Sequence, residues 1–293
     1  MILGKSIKIL LLLVLILIVI VYYRHITSKI QGHITIVATA RNIESYLENT
    51  RKKLEMVSSQ FTSSNIIIYE NDSTDKTRDI LQQWHNEGFI RLISERNIDL
   101  KTPREKNAPS GITMTHPLKR HIRTKILAMG RNKLHREAMK NRFDYLMVID
   151  LDNVIEGLTK ESLLSCFRLK EDWGMVGANQ TGNYYDLWAL RTNKDDDWLP
   201  FDCWECMDKE YPNHIRQPFR DASKCLKTRH IPASSRPINV QSCFGGTAIY
   251  KRKYLDLKNC YYDGRNTCEH VSFNLGVIRN GGKVYINPSF INH

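Results

Sequence analysis

The sequence predicts an α/β protein with a mostly parallel sheet that is flanked by helices. Short apolar runs suited to buried strands alternate with stretches in which apolar residues recur at helical spacing. The chain has 293 residues, of which 42% are hydrophobic and 25% are charged, so it can bury a large core and does not resemble a disordered chain. Parallel strands require crossover connections, and sheets of this kind are covered on both faces.

Each element follows from its own local pattern. Strands are predicted at the short apolar runs, at residues 34–39, 65–69, 89–94 and 145–149. Helices are predicted where apolar residues recur every three or four positions, at 44–59, 73–84 and 120–140. The second of these helices begins with Ser73-Thr74-Asp75, which supplies capping side chains. Residues 97–118 show neither pattern and are predicted to form a loop.

The N-terminus carries the strongest apolar run of the chain. Residues 9–21 are all Leu, Ile or Val, and two tyrosines follow. This run predicts a signal-anchor transmembrane helix over 9–23, with a cytosolic tail at 1–8 and a stem at 24–33. A cleaved signal peptide and a buried helix remain alternatives. The basic residues around the run slightly favour a single-pass type II membrane protein whose body is lumenal, as in the Golgi or endoplasmic reticulum, or extracytoplasmic.

Charge and cysteine content limit the function classes. The net charge of +12 favours a polyanionic partner such as a nucleic acid, an anionic lipid or a phosphorylated small molecule. No helix-turn-helix, zinc-finger or RNP pattern occurs, so nucleic acid is not the expected partner. The seven cysteines include Cys203 and Cys206, whose spacing suits either half of a zinc site or a disulfide that involves one of them.

Polar residues follow three of the predicted strands. They are the segments Thr39-Ala40-Arg41, Glu70-Asn71-Asp72 and Asp150-Leu151-Asp152. Ligands of open α/β sheets bind at the C-terminal ends of the strands, so these segments should converge at one edge. An acidic pair at a strand end suits Mg²⁺ or Mn²⁺ held together with a substrate diphosphate. The alternative is that these aspartates only cap a loop.

Four segments, in this order, resemble the motifs of GT-A glycosyltransferases of the family-2 type. Residues 68–77 resemble the nucleotide-binding segment, and 145–152 resemble the D-x-D strand. Residues 245–252 resemble the G-G segment, and 268–288 resemble the E-D helix and the strand after it. Residues 70–73, 173–178 and 185–186 and the segment around Cys243 show a looser resemblance to fungal capsule-associated α-1,3-mannosyltransferases. The resemblance implies a catalytic domain at 34–293, with a nucleotide-binding half at 34–153 and an acceptor-binding half at 154–293.

The resemblance also implies roles for individual residues on the donor side. The reaction would transfer a sugar from a nucleotide-sugar donor to a glycan, glycoprotein or glycolipid, with Mn²⁺ or Mg²⁺ as the cofactor. Contacts with the nucleotide sugar are expected from Thr39, Arg41, Glu70, Asp72, Arg123, Arg131 and Asp150. Asp152 is the expected direct metal ligand, and either His293 or His270 is expected to be a further ligand. Asp150 would orient the ribose or a metal-bound water.

Glu269 is the candidate base for the acceptor hydroxyl if the reaction inverts the sugar configuration, and no such base is required if it retains it. Aromatic and acidic residues interleave over 184–206, a pattern that suits sugar binding but also ordinary packing. The acceptor-binding candidates are Tyr185, Asp186, Trp188 and Trp204. Two other functions remain open, a non-catalytic sugar-binding protein that keeps the fold and a sugar nucleotidyltransferase.

Overall fold

The computed structural model describes residues 29–101, 117–193, 198–199, 202–210, 227–265 and 267–293. The predicted tail, the predicted anchor and residues 24–28 of the predicted stem lie outside these ranges. Among the helices of the described residues, none has both the length and the apolar character that a membrane crossing requires.

The described residues form one eight-stranded sheet with strand order β3-β2-β1-β4-β7-β5-β8-β6. The strands are β1 (Ile30–Ala40), β2 (Phe61–Asn71), β3 (Arg91–Glu95), β4 (Tyr145–Ile149), β5 (Met175–Asn179), β6 (Ile238–Val240), β7 (Thr247–Lys251) and β8 (Val284–Ile291). The first four strands pair in parallel, as do β5 and β8, whereas β7 and β6 run antiparallel to their neighbours. The predicted mostly parallel sheet is therefore confirmed.

Helices cover both faces of this sheet. They are α1 (Leu47–Ser59), α2 (Thr77–Asn86), α3 (Pro117–Ala138), α4 (Lys160–Ser165), α5 (Cys203–Glu210) and α6 (Glu269–Arg279). Alternate residues of a strand face opposite sides, and accordingly one hydrophobic cluster contains Val37 and Val148 while the other contains Ile36 and Met147. The two clusters fix the sheet between its helical layers, so the strand ends have a defined position.

The predicted elements agree with the structure in type and differ at their ends. β1 begins at Ile30, within the predicted stem, and β2 begins at Phe61. The helix predicted from residue 73 begins only at Thr77. The reason is that Ser73 and Asp75 accept hydrogen bonds from the loop after β1, at Asn42 N (3.2 Å) and Glu44 N (3.1 Å). These side chains join two loops, and Ser73 does not cap the helix.

Candidate active site

The ends of β1, β2 and β4 meet at one edge of the sheet. In the β1–β2 ladder Thr39 pairs with Tyr69 and Ala40 with Glu70, and β4 pairs with the other side of β1. The predicted convergence of the segments after these three strands is therefore confirmed. The backbone N–H of Asp150 donates to Gly246 O at 2.8 Å, which joins the end of β4 to the turn before β7.

An arginine links the two halves of the chain at this edge. Arg131 of α3 donates through Nη2 to Asp150 Oδ1 (3.0 Å) and through Nε to Glu269 Oε1 (3.3 Å). Its side chain is 4% exposed, and Phe244 packs against the guanidinium at 5.1 Å. Arg131 therefore holds the first aspartate of the D-x-D segment and the candidate base in one cluster. The predicted contact of Arg131 with a nucleotide stays a prediction.

The cluster shifts the titration of its members. Burial raises the pKa of Asp150, and the neighbouring charge of Asp152 acts in the same direction, while Arg131 opposes them. Asp150 is nevertheless reachable from solvent, because its side chain is 30% exposed. The site thus combines the buried guanidinium of Arg131 with a carboxylate that is partly open to solvent.

Asp152 forms part of a short turn at the end of β4. Its Oδ1 accepts from Val154 N at 3.1 Å and caps the 3-10 helix Asn153–Ile155. His293 lies beside this turn, with Nδ1 at 3.1 Å from Asn153 O. The described part of the chain holds no group of three or more His, Cys, Asp or Glu side chains arranged to bind a metal. A cation here would need oxygens from a substrate in addition to the carboxylates.

His270 does not fit its predicted role as a metal ligand. The ring is 2% exposed and stacks on Phe244 at a centroid distance of 3.8 Å. Burial, together with the positive charge of Arg131, lowers the pKa of His270 well below its usual value. The neutral ring is packed in the core beneath Glu269 and away from solvent, whereas His293 is exposed beside the D-x-D turn.

Glu70 also differs from expectation, because its carboxylate is fully buried and used within the protein. Oε1 accepts from Ser73 N (2.9 Å), Oε2 accepts from Ser94 Oγ (2.7 Å), and Arg78 forms an ion pair at 2.8 Å. These bonds stabilise the turn after β2 and the start of α2. The geometry does not support the predicted contact between Glu70 and a nucleotide.

The remaining donor-side candidates differ in their exposure to solvent. Asp72 is partly exposed, with φ of 51°, and its carboxylate accepts from Asn97 N at 2.6 Å and Ile98 N at 3.2 Å. Thr39 is partly exposed and Arg41 is exposed. Arg123 is exposed and close enough to lower the pKa of Asp150. Their contacts with a donor stay predictions.

Tyr185 and Asp186 lie on the other side of the Gly245–Gly246 turn. Asp186 Oδ2 accepts from Gly245 N at 2.9 Å, and burial raises the pKa of Asp186 to about 6. Tyr185 is 44% exposed. Burial of its hydroxyl raises the pKa of Tyr185, and the negative charges of Asp186, Asp150 and Asp152 add to this effect. The structure therefore brings the acceptor candidate Tyr185 close to the D-x-D segment.

The two tryptophans of the acceptor prediction form a different cluster. Trp188 and Trp204 pack edge to face at 5.8 Å, and the guanidinium of Arg120 lies 5.1 and 4.6 Å from their rings. Trp204 is only 2% exposed, so it presents no open face to a sugar and does not fit the predicted role. Trp188 is partly exposed, so part of its ring is open to a ligand. Cation–π packing of α3 against this segment explains the pair.

Two amide side chains at the site were missed in the sequence. Gln180 Nε2 and Asn292 Nδ2 both donate to Gly245 O, at 3.1 and 2.6 Å. They are 3% and 0% exposed. Neither lies in a recognisable motif, and the only sequence signal is a polar residue directly after a strand of the acceptor half.

The cysteine pattern is resolved in favour of a disulfide. Cys206 is disulfide-bonded, and Cys203 is a buried thiol outside any disulfide. One member of the Cys203–Cys206 pair therefore forms a disulfide, as one of the two alternatives predicted, and the pair is not half of a zinc site.

The fold and the acidic strand ends agree with the class of enzyme that the motifs predict, a glycosyltransferase. More particularly, the chain belongs to the family described as Cryptococcal mannosyltransferase 1, whose model matches residues 33–274. The match extends from β1 into α6 and includes Asp150, Asp152 and Glu269, and it confirms the predicted enzyme class. No curated protein matches the sequence of this chain.

Solved structures resemble the chain distantly. A mannosyltransferase from Pyrobaculum calidifontis in complex with GDP-Man and Mn²⁺ is 12% identical with a TM-score of 0.45, over 89% of this chain and 56% of that one. S. aureus TarS 1-349 is 12% identical with a TM-score of 0.42, over 87% and 57%. Glucosyl-3-phosphoglycerate synthase from Mycobacterium tuberculosis is 14% identical with a TM-score of 0.38, over 84% and 64%. This chain spans less than two thirds of each, and likenesses this distant assign no residue a role.

Proposed function

We propose that this chain transfers mannose from GDP-mannose to a hydroxyl of a carbohydrate acceptor, with Mn²⁺ or Mg²⁺ as the cofactor and on a GT-A fold. The family description supports mannose as the sugar, and the Mn²⁺ complex of the Pyrobaculum enzyme motivates the choice of donor and metal. The observation that carries the proposal is the position of Asp150 and Asp152 at the end of β4. There, Arg131 connects Asp150 to Glu269 at the start of α6.

The carboxylates suit a hard divalent cation that also binds a diphosphate. Among the described residues, Asp150 and Asp152 each use only Oδ1 in a hydrogen bond. Mg²⁺ in proteins is often bound by one or two carboxylates together with substrate phosphates and waters. Asp152 and Asp150 would therefore hold the cation, and His293 beside Asn153 would add a nitrogen ligand. When bound, the cation would offset the charge that develops on the departing nucleoside diphosphate.

The protein side chains then have distinct tasks. Arg131 orients Asp150, and its positive charge opposes the rise in the pKa of Asp150 that burial causes. Arg123, which is exposed near Asp150, supplies a guanidinium for the diphosphate. Glu269 would accept the proton of the acceptor hydroxyl in an inverting reaction, and Tyr185 would contact the acceptor above Gly246. The anomeric configuration of the product, measured by NMR, separates an inverting from a retaining reaction.

The N-terminal segment 9–23 supports a membrane-bound form of this enzyme. Its apolar run and the modest basic bias before it favour a type II orientation with the catalytic domain in a lumenal or extracytoplasmic space. Carbonate extraction of membranes would test the anchor, and protection of the domain from added protease would test the orientation. Extraction of the full chain at alkaline pH would contradict the anchor.

The deciding experiment is a donor screen with the full chain. GDP-mannose, UDP-sugars and CMP-sugars are each incubated with Mn²⁺, and release of the nucleotide is measured with and without acceptor saccharides. We expect turnover of GDP-mannose that EDTA abolishes and added Mn²⁺ restores. The matched control for substitutions of Asp150 or Asp152 is Asp172→Ala. Asp172 is exposed, and among the described residues it contacts only lysines and Tyr254. Turnover that is unchanged by EDTA would contradict the role of the metal, and release of a different nucleotide would contradict the donor.

A further inference from the structure

The Gly245–Gly246 turn lies between the D-x-D segment and the acceptor candidates. Gly245 N donates to Asp186 Oδ2 (2.9 Å), and Gly246 O accepts from Asp150 N (2.8 Å). Both glycines have positive φ, 69° and 83°, and a Cβ at Gly246 would collide with the side chain of Val154. Any displacement of this turn would therefore move Asp150 relative to Asp186.

Two buried amides hold the turn from below. Asn292 Nδ2 donates to Gly245 O at 2.6 Å and to Thr247 Oγ1 at 3.3 Å. Gln180 Nε2 donates to the same Gly245 O at 3.1 Å and to Asn292 Oδ1 at 3.3 Å. Gln180 Oε1 also accepts from Tyr185 N at 3.4 Å. Because Asn292 is 0% exposed, loss of its side chain would leave these partners without a replacement from solvent.

The main chain of Asn292 reaches the D-x-D turn directly. Its carbonyl oxygen accepts from Gly157 N at 2.8 Å, just past the 3-10 helix that Asp152 caps. The next residue, His293, places Nδ1 at 3.1 Å from Asn153 O. A single residue thus contacts the D-x-D turn with its backbone and the Gly245–Gly246 turn with its side chain.

We infer that Asn292, supported by Gln180, is a positioning residue that fixes the metal-side turn, residues 150–157, relative to the acceptor-side pair Tyr185–Asp186. Asn292 does not touch the reacting atoms, and it acts through Gly245 and Gly157. This inference rests on the proposed glycosyl transfer with a divalent cation. It predicts that removal of the carboxamide loosens the 150–157 turn and weakens use of the cation without a matching effect elsewhere in the fold.

The chain offers a matched control on β8, the strand that Asn292 directly follows. Asn287 of β8 is 2% exposed, and its Nδ2 donates to Ser165 Oγ at 2.8 Å, away from the Gly245–Gly246 turn. Asn292→Ala and Asn287→Ala therefore remove the same buried group, and both should lower the melting temperature. Gln180→Ala is the second test variant, since it removes one of the two donors to Gly245 O while Asn292 remains.

The first measurement is hydrogen–deuterium exchange of the peptide covering 150–157 in the full chain. We expect exchange about tenfold faster in Asn292→Ala and faster in Gln180→Ala, with wild-type exchange in Asn287→Ala, because local opening is set by local contacts. The second is Mn²⁺-dependent turnover of GDP-mannose. We expect the Mn²⁺ concentration for half activation to rise about tenfold in Asn292→Ala and by a smaller factor in Gln180→Ala. It should stay unchanged in Asn287→Ala.

The two measurements separate the possible failures. Equal exchange of 150–157 in Asn292→Ala and Asn287→Ala would overturn the inference, as would equal Mn²⁺ dependence of these two variants. Absence of turnover in the wild type would overturn the proposed function, whereas the exchange experiment would still decide whether Asn292 holds the turn. If Asn292→Ala does not fold, Gln180→Ala carries the same comparison, and wild-type exchange in that variant would overturn the inference.

Discussion

The ends of β2 and β4 lie at the same edge of the sheet, yet their carboxylates are used differently. Glu70 at the end of β2 is fully buried, and its bonds to Ser94, Arg78 and Ser73 occupy both oxygens. Asp150, one residue past β4, has one partner of this kind, Arg131, and its side chain remains 30% exposed. The carboxylate of Glu70 thus stabilises a turn, whereas the carboxylate of Asp150 is partly open to solvent.

This difference teaches that a carboxylate after a strand is not by itself a functional signal. What separates the two is the number of protein donors around each oxygen and the access of solvent to the second oxygen. A carboxylate whose oxygens are all occupied contributes to stability, and one with an unused oxygen beside a cleft can bind a cation. The following substitutions test the distinction, in order of decreasing expected effect.

Glu70→Gln should lower the stability of the protein and leave its turnover almost unchanged. It removes the charge that neutralises Arg78, whose side chain is only 15% exposed, and it puts an amide group among donors. Removal of one partner from a buried ion pair typically costs about 3–5 kcal/mol, and we expect the free energy of unfolding in urea to fall by about 3 kcal/mol. The folded fraction should keep near wild-type turnover. A stable variant with lost turnover would instead place Glu70 in the donor site.

Asp186 should make the free energy of unfolding depend on pH. Burial raises the pKa of Asp186 to about 6 from its usual 3.8, so between these pH values the folded state binds more protons than the unfolded state. This contribution to stability is present below about pH 4 and is lost as the pH rises to about 6. Relative to wild type, Asp186→Asn should therefore gain up to about 3 kcal/mol between pH 4 and pH 7.5.

Chemical denaturation of wild type and Asp186→Asn at several pH values measures this difference directly. The variant keeps a carbonyl oxygen to accept from Gly245 N but loses the longer bond from Ala189 N. That loss does not vary with pH, so the pH-dependent part of the difference reports the charge. A difference in unfolding free energy that stays constant from pH 4 to pH 7.5 would show that the carboxyl group titrates normally in the folded protein.

Asp152→Asn should lower turnover and leave the stability of the protein almost unchanged, which is the converse of Glu70→Gln. An asparagine oxygen can still accept from Val154 N and cap the 3-10 helix, so the fold should be kept. Loss of the negative charge weakens cation binding at the reaction centre, and we expect Mn²⁺-dependent turnover to fall at least ~10²-fold. Melting curves provide the control. Wild-type turnover in this variant would contradict the proposed metal site.

Tyr185 and Trp204 should show the same contrast, with one substitution affecting acceptor binding and the other affecting stability. Tyr185 is 44% exposed beside Gly246, whereas Trp204 is 2% exposed and packs on Arg120. We expect Tyr185→Ala to raise the acceptor KM about tenfold with little change in stability, the size of one lost sugar contact. Trp204→Phe should lower the melting temperature and leave the acceptor KM unchanged. The reverse result would place the acceptor against the tryptophan pair.

Local pattern was sufficient for the strands of the N-terminal half. The apolar runs at 34–39 and 65–69 lie within β1 and β2, and the run at 145–149 is β4, because buried parallel strands are continuously hydrophobic. The topology rule then placed Asp150 and Asp152 at the correct edge. Errors occurred at element ends, such as the start of α2, where Ser73 and Asp75 bond to another loop.

The arrangement of the C-terminal half could be read only from the tertiary structure. The order β4-β7-β5-β8-β6 brings together strands that are distant in sequence, and nothing local in β6 or β7 specifies that they run antiparallel. His270 illustrates the limit for single residues, because the motif position suggested a ligand and packing against Phe244 buries it as a neutral ring. Asn292 illustrates the converse, a residue outside any motif whose role comes from partners more than forty positions away.

The sequence by itself therefore determined the fold class, the enzyme class and the acidic segment after β4, since these depend on periodicity and on ordered motifs. Only the tertiary structure decided which carboxylates stay open to solvent, since that depends on donors contributed by distant segments. Arg131, Glu269 and Asp150 come from three separate elements, and their distances of about 3 Å are set by how α3 and α6 pack on the sheet. Burial and hydrogen-bond partners, which fix the charge and the reach of each group, are properties of that packing.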